Sequence, residues 1–118
     1  MSRDFRLYLA DIIQCCDRVF EYINGHTLDS FSEDYKSVDA VARNLEIIGE
    51  AVKNIPVEIL AARPEIIWSD VAKFRDVIAH QYFRVKLTVV WDTIFNELGD
   101  IRSAAAHIFS TLPFDDDE

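Results

Sequence analysis

The amino-acid sequence predicts an all-α protein, folded as a bundle of four to five helices with short connections. Over long stretches, apolar residues recur at steps of three and four, which is the spacing of one face of a helix. The chain has only 3 glycines and 3 prolines among 118 residues, so it lacks the turn signals of an all-β domain. A chain of this length is expected to form one domain with its own core.

The first helix is predicted from Phe5 to Ile23, and residues 24–26 end it, with Gly25 as its left-handed cap. The polar segment 26–35 is expected to be a loop. The second helix is predicted over residues 38–55, with Ser37 as its N-cap. Its apolar face runs without a break through Val38, Val41, Leu45, Ile48, Val52 and Ile55.

The rest of the chain is expected to add two or three helices. Pro56 either ends the second helix near residue 55 or opens a short third one over residues 57–62. Ser69 or Asp70 can cap the next helix, which is predicted to run to about His80 and to bury Val71, Phe74 and Ile78. Residues 81–84 form a connector. The last helix fades at Ser110 and carries Leu87, Val90 (or Trp91), Ile94, Leu98, Ile101, Ala105 and Ile108.

Residues 1–111 are expected to form the single domain, and residues 112–118 an acidic, disordered tail. No apolar run approaches the ~20 residues that cross a bilayer, and the charged start does not resemble a signal peptide. Cys15 and Cys16 are adjacent, so they cannot form a disulfide framework, and at least one is expected to be buried. These features predict a cytoplasmic protein without a membrane partner.

The charge is uneven along the chain. The net charge of −9 argues against general affinity for nucleic acid, because phosphate binding normally uses a basic surface. Between residues 73 and 86 the balance reverses, and Asp76 stands against Lys73, Arg75, Arg84 and Lys86. Such a protein can hold a phosphate locally, but it is expected to bind long duplexes poorly, which argues against DNA as a partner.

The most informative segment spans residues 75–82. Asp76 and His80 are i and i+4 on the predicted helix, so they share a face. Arg75 precedes them, and Tyr82 follows just past the helix end. An imidazole that exchanges protons near neutral pH and a guanidinium that matches phosphate oxygens suit phosphodiester chemistry without a metal. From the spacing alone, an ordinary surface ion pair is the alternative interpretation.

Segment 75–82 resembles the R-x-x-x-x-H-x-Y signature of the HepT branch of HEPN domains. Residues 43–51 resemble the second-helix block of that family, and residues 68–74 resemble the approach to its motif. Trp91 stands where the last helix of the family usually carries a tryptophan. The resemblance covers roughly residues 5–108, and three blocks in this order at this length are fairly specific.

The resemblance implies a HEPN-like helical bundle in a two-fold homodimer, with both motifs facing one cleft. It further implies a metal-independent endoribonuclease that needs no cofactor and acts as the toxin of a type VII-like toxin–antitoxin system. The antitoxin would be a nucleotidyltransferase of the MntA type, which attaches AMP to the motif tyrosine, here Tyr82. The motif positions imply His80 as general acid or base, Arg75 as the stabiliser of phosphate charge and Asp76 as their orienting group.

Other charged residues are candidates for the same cleft. Arg43, Glu46 and Glu50 share the polar face of the second helix, where a solvated face with internal ion pairs is the alternative. Lys73 and Arg84 flank the motif within the basic segment. Gly49 in mid-helix costs about 1 kcal/mol relative to alanine, so it suggests close approach of another helix or subunit. The rival functions are a non-catalytic HEPN module that binds a nucleotide or protein, and a structural helical adaptor.

Overall fold

The computed structural model of the chain describes residues 4–79 and 87–113, and every element within these two ranges is helical. The elements are α1 (Phe5–Ile23), α2 (Leu28–Glu33), α3 (Tyr35–Lys53), α4 (Val57–Leu60), α5 (Trp68–Ala79), α6 (Leu87–Thr93), a π-helical turn (Ile94–Leu98) and α7 (Gly99–Thr111). The predicted all-α bundle is therefore confirmed. The connector 81–84, with His80, Tyr82 and Arg84, and the tail from Phe114 onward lie outside the described residues.

Helix α1 agrees with its predicted limits. Asp4 caps its start, where the carboxylate accepts a hydrogen bond from the backbone N–H of Arg6 at 2.9 Å. The helix ends at Ile23, and Gly25 has a φ of +82°, a left-handed conformation that only glycine adopts at little cost. The predicted role of Gly25 at this end is confirmed.

The segment expected to be a loop contains α2, so that prediction was wrong. A reciprocal capping box starts this helix: the Ser30 N–H donates to Thr27 Oγ1 at 3.1 Å, and the Thr27 N–H donates to Ser30 Oγ at 3.0 Å. Phe31 is fully buried and fastens α2 to the core. A helix of six residues is too short to show an apolar period, so the sequence pattern did not indicate it.

Helix α3 begins earlier than predicted, because Asp34 and not Ser37 is its N-cap. The carboxylate of Asp34 accepts hydrogen bonds from both the backbone N–H and the hydroxyl of Ser37, at 3.2 and 2.8 Å. The helix ends at Lys53, and Pro56 opens the short helix α4, the second of the two predicted alternatives. Helix α4 covers residues 57–60 and is shorter than the predicted 57–62.

Helix α5 begins at Trp68, ahead of the predicted caps Ser69 and Asp70. The indole Nε1 of Trp68 donates to the carbonyl oxygens of Leu60 and Arg63, at 3.0 and 3.1 Å. These bonds fasten the start of α5 to the end of α4. The predicted helix over residues 87–108 is one rod built from α6, the π-helical turn and α7, and it extends to Thr111.

The core lies between the apolar faces that the periodicity predicted. The predicted face of α3 and the inner positions of α1 and α7 are buried, and so are Cys15 and Cys16. Arg102 on α7 donates to both carboxylate oxygens of Asp17 on α1, at 2.7 and 3.1 Å, which ties these helices together. No helix in the described residues is long and apolar enough to cross a membrane.

Candidate active site

The backbones of α3 and α5 touch at Gly49. A Cβ atom at this position would lie 2.6 Å from the backbone nitrogen of Arg75 and 3.0 Å from the carbonyl oxygen of Ala72. Only a residue without a side chain lets the two helices approach so closely. The predicted close approach at Gly49 is confirmed, and it is the contact that sets Arg75 against the surface of α3.

The side chain of Arg75 extends from this contact and lies beside Glu50. Its Nε atom lies 3.3 Å from Oε1 of Glu50, and 44% of the arginine side chain is exposed. The other carboxylate oxygen, Oε2, accepts a hydrogen bond from Nδ2 of Asn54 at 3.4 Å. The guanidinium is therefore held on one side and remains accessible to a ligand on the other.

Asp76 pairs with a different residue of α3. The Nζ atom of Lys53 donates to Oδ1 of Asp76 at 2.9 Å, and both side chains are partly exposed. The sequence placed Asp76 beside His80, but His80 lies outside the described residues. The described contact shows that a lysine of the neighbouring helix holds this carboxylate.

A groove of about 310 Å³ lies between α1, α3 and α5, close to the lower end of the usual size range for ligand pockets. Charged side chains of both signs line it together with an aromatic one: Tyr8, Asp11, Arg43, Glu46, Glu50 and Arg75. Among these, Nη1 of Arg43 donates to Oε1 of Glu46 at 3.2 Å. The lining holds two arginines and three carboxylates, so the groove offers cationic side chains without being basic overall.

Only some of the candidate cleft residues line the groove in the structure. Arg43 and Glu46 line the groove with Arg75, as the polar face of the second helix suggested. Lys73 does not line it: the side chain is 70% exposed and lies 3.8 Å from Asp70. Two helical positions before Arg75 correspond to a rotation of about 200° around α5, which turns Lys73 away. Arg84 and Tyr82 lie outside the described residues.

Sequence reasoning missed three residues at this site. Tyr8 and Asp11, which line the groove from α1, are three positions apart and thus share a face. Lys53, which holds Asp76, is the last residue of α3. The spacing of Tyr8 and Asp11 was visible in the sequence, but nothing in it indicated that α1 borders the same groove as α5.

The two cysteines are buried, and neither lines this groove. Burial raises the pKa of the Cys16 thiol to about 12, with a smaller contribution from neighbouring negative charge, and burial also raises the pKa of Cys15. A thiol with so high a pKa is almost entirely protonated at neutral pH, so neither cysteine suits nucleophilic chemistry. No group of three or more metal-ligating side chains comes together within residues 4–79 and 87–113.

The chain is similar to a group of ribonucleases. A family model described as Ribonuclease HepT-like matches residues 12–108. A candidate RNase from Methanocaldococcus jannaschii is 36% identical over 97 residues, which cover 82% of this chain and 80% of the relative. A candidate RNase from Caldanaerobacter subterraneus subsp. tengcongensis is 36% identical over 103 residues, 87% of this chain and 92% of the relative.

A candidate ribonuclease HepT from Thermococcus cleftensis is 37% identical over 102 residues, which cover 86% of this chain and 93% of the relative. No solved structure matches the chain. The family match covers most of the helical bundle and includes Arg43, Glu46 and Arg75, whereas Tyr8 and Asp11 of the groove precede it. The chain belongs to the HepT-like ribonuclease family.

Proposed function

We propose that this chain is an endoribonuclease that cleaves single-stranded RNA without a metal ion, through the motif formed by Arg75, His80 and Tyr82. Membership in a ribonuclease family implies an RNA substrate. The observation that carries the proposal is the placement of Arg75, whose guanidinium is held beside a groove and is partly open to solvent. A guanidinium so placed can donate to two phosphate oxygens at once.

The proposed reaction is a transesterification within the RNA strand. A general base takes the proton of the 2′-hydroxyl, and the 2′-oxygen attacks the adjacent phosphorus. The bond to the 5′-oxygen breaks, and a general acid returns a proton to that oxygen, leaving a 2′,3′-cyclic phosphate and a 5′-hydroxyl. His80 acts as acid or base, and Arg75 stabilises the charge that develops on the phosphate oxygens. DNA has no 2′-hydroxyl and is expected to survive.

Single-stranded RNA is the expected substrate form, because its backbone can bend into line for this attack. Asp76 is proposed to orient His80 or Arg75. Its hydrogen bond to Lys53 supports this role, because a carboxylate held from one side keeps a fixed direction. Tyr82 is proposed to contact the phosphate or a base. Arg43 and Glu46 line the same groove as Arg75 and are proposed as further cleft residues.

A two-fold homodimer is part of the proposal. Leu87, Val90 and Trp91 of α6 pack against the core and are partly buried, whereas the opposite side of the helix is open. Val89 on α6 is 60% exposed, and Phe95, just beyond it, is 61% exposed. An apolar face of this kind supports association with a second copy, and small homo-oligomers most often adopt two-fold symmetry.

The biological setting is proposed from the family resemblance: a cytoplasmic toxin that a nucleotidyltransferase antitoxin neutralises by attaching AMP to Tyr82. The physics is consistent with such control, because AMP would bring bulk and a negatively charged phosphate close to Arg75. The globular domain is proposed to span residues 1–111 and the acidic tail residues 112–118. The end of α7 at Thr111 supports that boundary.

The deciding experiment is RNA cleavage in excess EDTA by the wild type, His80→Ala and Arg75→Ala. We expect no cleavage by His80→Ala and a rate about 10²–10³ times lower for Arg75→Ala, the range observed when a transition-state donor is removed. Circular dichroism checks that each variant folds, and mass spectrometry checks that Tyr82 is unmodified. If the folded, unmodified wild type leaves RNA intact, the proposal fails and a non-catalytic HEPN module becomes the better reading.

A further inference from the structure

Glu50 occupies a special place beside the motif arginine. It follows Gly49, where α3 and α5 touch, so its side chain leaves α3 next to the point where Arg75 leaves α5. The carboxylate Oε1 lies 3.3 Å from the Nε atom of Arg75. Because both residues start from one tight backbone contact, the relative position of their side chains depends on few torsion angles.

Glu50 itself accepts hydrogen bonds from Asn54. Nδ2 of Asn54, the C-cap of α3, donates to the carbonyl oxygen of Glu50 at 2.9 Å and to its Oε2 at 3.4 Å. The carboxylate therefore bridges Asn54 on one side and Arg75 on the other. This chain of polar contacts runs along the surface of α3 and ends at the guanidinium on the edge of the groove.

We infer that Glu50 is a positioning residue, which holds Arg75 by its Nε edge so that the terminal nitrogens, Nη1 and Nη2, are presented to a phosphate of the RNA. The inference rests on the proposed ribonuclease function. A guanidinium carries donors on several edges, and a carboxylate on one edge fixes its plane while a phosphate takes another. Glu50 contacts no substrate atom in this arrangement and acts through Arg75.

Two other roles for Glu50 lead to different kinetics. If the carboxylate only competed with phosphate for Arg75, its removal would raise kcat/KM. If it only supported the fold, its removal would lower the free energy of unfolding and leave the kinetics of the folded enzyme unchanged. A positioning role predicts a fall in kcat without a rise in KM, because the variant loses orientation in the transition state and also loses a negative charge that repels RNA.

The kinetic test compares Glu50→Gln with the wild type in cleavage of one short single-stranded RNA. We expect kcat to fall roughly tenfold or more, the scale on which small misplacements of a catalytic group act, with KM unchanged or lower. Glu58→Gln is the matched control, because Glu58 is an exposed carboxylate on α4 that does not line the groove. It loses the same charge and should cleave like the wild type.

A double-mutant cycle tests whether Glu50 acts through Arg75. In the Arg75→Ala background, Glu50→Gln should have no further effect on kcat, since no guanidinium remains to be positioned. Equal effects of Glu50→Gln with and without Arg75 would overturn the inference. A rise in kcat/KM for Glu50→Gln alone would overturn it as well.

Nuclear magnetic resonance of the Arg75 Nε–Hε group gives a readout that does not require activity. The signal is assigned by its absence in Arg75→Ala, and its heteronuclear Overhauser effect reports the order of the guanidinium. We expect an ordered group in the wild type and Glu58→Gln, and a mobile one in Glu50→Gln. Unchanged order in Glu50→Gln overturns the inference. Absence of RNA cleavage by the wild type overturns the proposed function instead, and this signal still decides whether Glu50 holds Arg75.

Discussion

Arg75 and Asp76 are neighbours in the chain, and each is held by a different residue of α3. Glu50 pairs with the guanidinium of Arg75, and Lys53 pairs with the carboxylate of Asp76. Helix α3 therefore supplies the acidic partner of one ion pair and the basic partner of the other. Both pairs are partly exposed, and pairs of this kind contribute at most about 1 kcal/mol to stability. Their main consequence is the orientation of the two side chains.

The buried cysteines lead to a prediction about reactivity. Because the thiolate is the nucleophile and burial raises the pKa of Cys16 to about 12, we expect no alkylation of Cys15 or Cys16 by iodoacetamide at pH 8 in the folded protein. In guanidinium chloride both should react. Intact-mass measurement counts the labels. Labelling of the folded protein at the rate of the unfolded chain would contradict the buried placement.

At the scale of elements, the packing of helices depends on single residues at their crossing points. Gly49 sets the distance between α3 and α5, while the pair of Asp17 and Arg102 joins α1 to α7. The π-helical turn connects α6 to α7 and keeps Ile94 and Leu98 in the core while Phe95 faces outward. The contacts at Gly49 and between Asp17 and Arg102 link helices that are distant in the sequence.

Gly49→Ala is expected to destabilise the protein. The added Cβ would meet backbone atoms of α5, and overpacking of this kind costs about 1–3 kcal/mol against a gain in helix propensity of about 1 kcal/mol. We expect the free energy of unfolding, measured in urea, to fall by about 1 kcal/mol or more. RNA cleavage should fall too, because α5 carries Arg75.

Gly99→Ala is the matched control for this prediction. Gly99 is also helical, but a Cβ at Gly99 would meet nothing within 4 Å. The substitution should leave the free energy of unfolding unchanged or raise it by up to about 1 kcal/mol. If the two alanine variants had the same stability, the tight contact between α3 and α5 would be in doubt.

The ion pair between α1 and α7 predicts a dependence of stability on pH. Hydrogen bonds from Arg102 lower the pKa of Asp17. A lowered pKa means that the stabilisation is present above the unfolded pKa, near 3.9, and is lost as the pH falls through the folded value. Asp17→Asn should therefore reduce the free energy of unfolding at pH 7, by about 0.5 kcal/mol for a pair this exposed.

The difference between Asp17→Asn and the wild type should shrink as the pH falls below about 4. Urea titrations at several pH values measure it. Arg102→Met serves as the partner variant, because it removes the same hydrogen bonds from the other side. In the Arg102→Met background, Asp17→Asn should have almost no effect at pH 7, and a full additional loss there would argue against the pair as the cause.

At the scale of the whole molecule, an acidic chain carries one groove in which two arginines lie among three carboxylates. The described helices extend 49 × 27 × 27 Å, and one apolar face, which carries Val89 and Phe95, is exposed. With a net charge of −9, the chain is expected to bind long nucleic acids weakly, and the proposed recognition of RNA would rest on Arg43 and Arg75 in the groove. A second copy would cover the apolar face and bring a second groove.

The proposed dimer is tested with Val89→Asp. A charge on the exposed face of α6 would have to be desolvated in the dimer, so we expect light scattering to give half the mass of the wild type. Val57→Asp is the matched control, because Val57 is even more exposed but lies on α4. A dimeric Val89→Asp, or a monomeric wild type at the same concentration, would contradict the proposed interface.

From the amino-acid sequence one can predict the all-α class, the apolar faces of the long helices, the left-handed Gly25 and the family. Helical periodicity and a left-handed glycine are local properties, so they can be recognised in a single sequence. The short helix α2 was not predicted, because six residues are too few to show an apolar period. The N-cap at Asp34 was not predicted, because several polar residues near the start of α3 could serve as the cap.

The pairing of charged residues could not be predicted from the sequence, because it depends on how the helices pack. The sequence put Arg75 and Asp76 in one motif, yet Glu50 and Lys53 hold them from a helix more than twenty residues earlier. It offered Lys73 and Arg43 as equal candidates for the cleft, and the rotation of α5 separated Lys73 from the groove that Arg43 lines. Contacts between helices depend on where they cross, and here the crossing is set by the absence of a side chain at Gly49.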